Sequence, residues 1–78
     1  MTEKRVQLDL TEDEVIVLFE WLQRVNKMTP DLVFQDQAEQ RAAWDLEASL
    51  EPVNRAIFSG SYLDQLRAAR DRVHDSLE

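Results

Sequence analysis

The 78-residue sequence predicts a mainly α fold of the α+β type, one short N-terminal strand followed by three helices, in a single domain covering residues 1–78. Three observations predict it. Val6-Gln7-Leu8-Asp9-Leu10 alternates apolar and polar with the period of a half-buried strand. Three later segments each carry apolar residues at helical spacing behind a cap-forming residue, and one glycine and two prolines leave few breaks between them. A chain this short builds a core that is only marginally sufficient, and with no cysteine it has no disulfide to supplement it. Self-association is the expected supplement.

The strand comes first. Its backbone N–H and C=O groups require a partner, and the rest of the sequence offers no second segment of equal quality. Three sources could complete it: the same strand of a second copy, antiparallel about a two-fold axis; the triplet Leu32-Val33-Phe34, in parallel after a helix crossover; or the edge of a different protein. A second copy is preferred, because the triplet is short and closely follows Pro30-Asp31. Val6, Leu8 and Leu10 are thus the expected dimer strand of a homodimer.

Thr11 and Glu14 have the spacing of a capping box, and Leu10 with Val15 supplies the hydrophobic staple, so the first helix starts at Thr11. On a helical wheel Val15, Leu18, Phe19, Leu22 and Val25 cover one side, with Val17, Trp21 and Met28 widening the apolar arc to roughly 200°. Such a helix is central and packed by two neighbours, with Glu20 and Arg24 paired at i,i+4 on its wet side and Trp21 buried at its margin. Pro30 disfavours helical geometry at Thr29, which places the end near Met28. Residues 29–35 form a connection whose apolar triplet plugs the core.

Asp36 and Glu39 repeat the cap spacing and open a second helix with the stripe Ala38, Ala42, Leu46, Leu50, Val53 and Ile57. Pro52 removes one helical hydrogen bond without shifting the phase, which predicts a kink or a restarted turn. Gly60 suits the left-handed position after a helix, and Ser61 with Asp64 caps the third, whose stripe is Tyr62, Leu66, Ala69, Val73 and Leu77. Arg70 sits at the edge of that stripe, where a long stem covers apolar surface while its charge reaches water.

Sixteen acidic against nine basic residues give a net charge of −7, which opposes non-specific binding to nucleic acid or anionic lipid. The excess is concentrated in residues 29–51, where Asp31, Asp36, Glu39, Asp45, Glu47 and Glu51 face only Arg41. The longest apolar run, Val15 to Phe19, is too short to span a membrane, and the start lacks the features of a secretory signal, so a cytoplasmic location is expected.

No catalytic, cofactor-binding or metal-ligating set emerges. Asp71-x-x-His74 places two side chains on adjoining turns as di-iron bundles require, but a site needs several inward glutamates and the apolar stripes supply only Glu39, at a helix start. Asp36-x-x-Glu39 resembles half of the Mg²⁺-binding arrangement of helical NTP pyrophosphatases, and capping already explains its spacing. Ser59, Ser61 and Ser76 lack a nucleophile elbow or a nearby base, and one glycine cannot form a phosphate-cradling loop. Trp44 is the informative residue: it falls about 160° from the centre of its helix's stripe, between Arg41 and Ala48 and near Glu47 and Glu51. Either the 29–35 connection or a terminus folds over it, or it anchors a protein interface with an acidic rim, its site residues being Trp44, Arg41, Glu47 and Glu51.

A strand followed by two helices in a dimer, with Lys4 and Arg5 on the strand, resembles ribbon-helix-helix repressors and antitoxins over residues 4–50. That resemblance implies a ribbon whose polar face, here Arg5, Gln7 and Asp9, reads the major groove. Departures are Asp9 on that face, the lack of a short glycine-containing turn between the helices, and the acidic start of the second helix. The strings Leu8-Asp9-Leu10-Thr11-Glu12-Asp13-Glu14, Leu18-Phe19-Glu20-Trp21-Leu22 and Asp36 to Glu47 are similar to a small uncharacterised bacterial protein family of about this length, which implies a bacterial cytosolic origin and no particular mechanism. The sequence thus points to a non-enzymatic acidic interaction protein, a homodimer binding a protein partner. A DNA-binding regulator is the alternative, and a carboxylate–metal enzyme comes third.

Overall fold

The computed structural model of the chain, in which residues 3–75 are described, is an all-helical small domain. Helix α1 spans Glu12–Asn26, a single turn α2 spans Pro30–Val33, α3 spans Gln37–Leu50 and α4 spans Tyr62–Asp75, with 3₁₀ turns at Glu51–Val53 and Arg55–Phe58 between α3 and α4. Among the described residues there is no strand, so the short strand expected at residues 6–10 does not form within the chain, and four helices stand where three were expected. Residues 3–10 run without helix or turn, and no backbone–backbone hydrogen bond among the described residues involves them. The triplet 32–34, the alternative intrachain partner for the strand, is helical instead for a physical reason: Pro30 occupies the first helical position, where its missing N–H costs nothing, and starts a turn closed by Phe34 N–H to the Pro30 carbonyl at 2.8 Å. The triplet also does not plug the core as a unit, since Leu32 is exposed while Val33 and Phe34 are half-buried.

The capping box forms at α1, with the Thr11 hydroxyl accepting from Glu14 N–H at 3.0 Å and the Glu14 carboxylate accepting from Thr11 N–H at 2.9 Å. Leu10 packs onto the cluster that contains Val15, as the staple requires. Helix α1 is then buried on two sides. Val15, Phe19 and Leu22 meet Leu50 of α3, with Ala43, Leu46 and Ile57 packed around them. Ile16, which lies outside the expected stripe, meets Ala56, Leu66 and Ala69 on the α4 side. A two-sided helix needs such a second stripe, and a single-arc reading passes over it.

Polar ties fix the helix directions. Asp13 near the start of α1 accepts two hydrogen bonds from the Arg72 guanidinium near the end of α4, at 2.7 and 2.8 Å. Farther along α1, Glu20 accepts from the Tyr62 hydroxyl at the start of α4 at 3.3 Å, rather than pairing with Arg24 as its spacing suggested. At the end of α1, the Asn26 amide donates to Glu47 at 2.7 Å and to the Ala43 carbonyl at 3.4 Å. Helix α4 therefore runs antiparallel to α1, and so does α3, because Leu50 meets Val15 near the opposite end.

The expected stripe on α3 is rotated. Ala38 and Ala42 are exposed, whereas Gln40, Ala43, Leu46, Glu47 and Leu50 turn inward, with Glu47 held by Asn26 of α1. Pro52 ends α3 in the anticipated restarted turns, and Asn54 between them is buried, its side-chain oxygen accepting from Ala56 N–H at 3.2 Å. On α4, Leu66 and Ala69 are buried and Tyr62 and Val73 half-buried, while Leu77 lies outside the described residues. Gly60 does not adopt the left-handed conformation expected of it. The second 3₁₀ turn has already ended at Ser59, and the next turn is held by Ser61 N–H and the Gln65 amide donating to the Ser59 hydroxyl, at 3.1 and 2.6 Å.

Two outcomes are expected. A Cβ on Gly60 meets nothing within 4 Å and no positive φ opposes it, so Gly60→Ala raises unfolding free energy by about 0.4–1 kcal/mol in denaturant titration. The Arg72 hydrogen bonds hold the Asp13 carboxyl below its ordinary value of 3.8. A carboxyl depressed on folding stabilises above its unfolded pKa and loses that contribution as pH falls through its folded one. The Tm of Asp13→Asn therefore falls below that of the unmodified protein at neutral pH, the gap closing below about pH 3.8 and narrowing with salt because the pair is solvent-screened.

Candidate functional site

The alternation before Thr11 survives as a one-sided arm. Val6, Leu8 and Leu10 line one groove, whereas Gln7 and Asp9 do not. The rest of its lining is Glu12 and Val15 on α1, Leu46, Ser49 and Leu50 on α3, and Pro52, Val53 and Arg55 of the following turns, enclosing about 630 Å³. Leu10 is half-buried at the closed end, but Val6 remains 83% exposed and Leu8 71%, so the arm overhangs the groove without filling it. Val53 on the far wall is exposed as well. This uncovered, mostly apolar groove lies beside a backbone edge without ladder bonds.

The second candidate is the outer face of α3. Trp44 is 48% exposed, so the rest of the described chain does not enclose it. It is flanked one turn back by Arg41, whose guanidinium lies 3.6 Å from Asp45, and Glu51 sits exposed two turns on. Glu47 does not belong to this rim. The Asn26 hydrogen bond draws it inward to a half-buried position against α1. The acidic rim around Trp44 is therefore thinner than the sequence suggested.

Other apolar side chains lie outside any expected site. Trp21, expected to be buried, is 46% exposed, because both neighbours of α1 pack on its other flanks and leave Trp21 and Met28 facing outward, while Val17 packs half-buried on the α4 side. Phe58 and Leu63 bracket the Ser59-Gly60-Ser61 turn and are exposed. Neither had a periodic signal, since each belongs to a turn boundary.

The chemistry-bearing residues are occupied locally. Asp36 accepts from Glu39 N–H at 3.0 Å and Glu39 accepts from Gln35 N–H at 2.7 Å, a reciprocal cap. His74 is exposed, with Nδ1 3.5 Å from Asp75. Among the described residues no three His, Asp or Glu side chains converge to hold a metal ion, and no helix is long and apolar enough to cross a membrane. The Tyr62 hydroxyl is pushed above its usual range by burial and by the Glu20 carboxylate beside it, which keeps it a protonated donor. Compared with protein-family models, curated proteins and solved structures, the chain matches none.

The position of Glu47 separates structural from surface carboxylates. Glu47→Ala removes the charged acceptor of Asn26, whose side-chain oxygen already lacks a partner, and costs about 1–3 kcal/mol in urea unfolding. Glu51→Ala changes stability by less than about 0.5 kcal/mol in the same measurement.

Proposed function

We propose that this protein is a non-enzymatic interaction module that self-associates into a homodimer through residues 4–10 and presents the outer face of α3, with Trp44, to a protein partner. The observation that carries the reading is the arm itself. Burying the side chains of Val6 and Leu8 stabilises by about 1.5–3 kcal/mol each, and in a single chain most of that is forgone. Two arms side by side supply each other's backbone hydrogen bonds and bring a second set of apolar side chains over each groove. For a 78-residue chain without cysteine, dimerisation also supplies stability that the small core lacks.

Helix α3 adds the outward face. Trp44 offers a large apolar body with an N–H handle, beside an Arg41–Asp45 pair that can turn to a partner's charges. Nucleic acid is a weaker reading. Arg5 lies 3.6 Å from Glu3, Asp9 shares its side of the arm, and the net charge is −7.

Sedimentation tests the assembly. The unmodified protein is expected at dimer mass and Leu8→Pro at monomer mass with its helical circular dichroism retained, since proline removes a ladder donor at the centre of the arm. Trp44→Ala is expected to stay dimeric. A dimer that survives Leu8→Pro moves the interface to the helices.

A further inference from the structure

We propose that the two arms pair antiparallel in one register, centred on Gln7, so that Arg5 of each chain faces Asp9 of the other. This rests on the dimer reading above and specifies the contact that orders it. Three constraints lead to it.

The first is parity. Cross-strand neighbours project from the same face of a ribbon, and Val6, Leu8 and Leu10 share the groove face while Gln7 and Asp9 do not. Even-numbered positions must therefore oppose even ones, which leaves two-fold centres at Val6, Gln7 or Leu8.

The second is length. The Thr11 N–H is already bonded to the Glu14 carboxylate and begins the α1 cap, so the ribbon cannot extend past Leu10. A centre at Leu8 then pairs only residues 6–10 and leaves Lys4 and Arg5 beyond the ribbon. A centre at Gln7 pairs all of residues 4–10.

The third is charge. A centre at Val6 sets Glu3 opposite Asp9, two like charges side by side. A centre at Gln7 sets Arg5 opposite Asp9 twice, once at each end, with Gln7 against Gln7 between them. On the groove face Val6 then opposes Leu8, and the Lys4 stem lies along Leu10 with its ammonium in water. The existing Arg5–Glu3 approach offers little competition, because both side chains are largely exposed.

Because the natural chain has no cysteine, single-cysteine variants report the register directly. Directly opposed residues in an antiparallel ribbon have Cα atoms about 4.5–5.5 Å apart, within disulfide range, whereas residues offset by two are about 7–8 Å apart. Upon mild oxidation Gln7→Cys is expected to form the covalent dimer most completely on non-reducing gels. Val6→Cys and Leu8→Cys cross-link poorly alone and efficiently as a mixture. In sedimentation, Arg5→Asp and Asp9→Arg each weaken the dimer on the order of tenfold, and the double variant recovers it. Preferred self-cross-linking of Leu8→Cys or Val6→Cys, or single charge reversals without effect in a protein that still dimerises through the arm, overturns the register. A monomeric unmodified protein, or a dimer indifferent to Leu8→Pro, overturns the pairing itself.

Discussion

The structure depends on burying α1 from two sides at once. Phe19 and Leu22 are almost wholly enclosed, and the two clusters that enclose α1 come from different parts of the chain, α3 on one flank and α4 with its preceding turn on the other. Each long-range polar tie among the described side chains also has one end on α1: Asp13 to Arg72, Glu20 to Tyr62, Asn26 to Glu47 and Ala43. Apolar burial supplies the driving force, and the ties set direction and rotation. The Asn26–Glu47 bond is the clearest case, since it turns α3 so that Ala43 and Glu47, not Ala42 and Ala38, face the core. A part-buried hydrogen bond to a charged group is costly to leave unmade, and that cost favours this rotation of the helix over its neighbours.

The same economy leaves surfaces uncovered. Two helices can flank α1 on two sides, so its third side keeps Trp21 and Met28 exposed, and the groove between its start and the end of α3 has no helix to close it. The arm reaches that groove but anchors only through Leu10. This geometry makes pairing between copies more natural than folding of the arm onto its own chain. A single extended segment can satisfy its apolar side against a groove, but its N–H and C=O edge needs another strand.

Local signals in the sequence were legible where one residue decides one bond. Thr11 with Glu14, Asp36 with Glu39, and the restart at Pro52 all rest on backbone groups that a specific side chain or its absence satisfies. The centrality of α1 was legible from the width of its apolar arc. What the sequence could not reveal depended on choices between comparable options. Ile16 and Val17 are equally apolar, and only the placement of Ala56 and Leu66 buries the first more than the second. Pro30 ends one helix and begins another turn with the same ring, so the triplet after it reads as strand or helix until its hydrogen bonds are seen. Gly60 suited a left-handed cap, but the serine and glutamine side chains around it hold the turn without one. At the candidate site, Val6, Leu8 and Trp44 were legible from period and wheel position, whereas the loss of Glu47 from the rim required knowledge of Asn26 across the interface.

The two surfaces lie on opposite sides of α3. Leu46, Ser49 and Leu50 line the groove, and at 100° per residue they point roughly 120–160° away from Trp44. The proposed pairing through the arms therefore covers the groove without covering Trp44. A two-fold dimer carries two such tryptophans, fixed relative to one another by a ribbon in register. A partner with two matching sites gains the effective concentration of the second contact without any additional interface, and that gain disappears if the ribbon can slip or open. The proposed Arg5–Asp9 pairing also leaves the outer face of the proposed ribbon with its opposite charges neutralised, unlike the basic face that phosphate binding needs. On the proposed reading the arm acts on recognition through geometry, by setting the spacing and orientation of two α3 faces rather than by touching the partner.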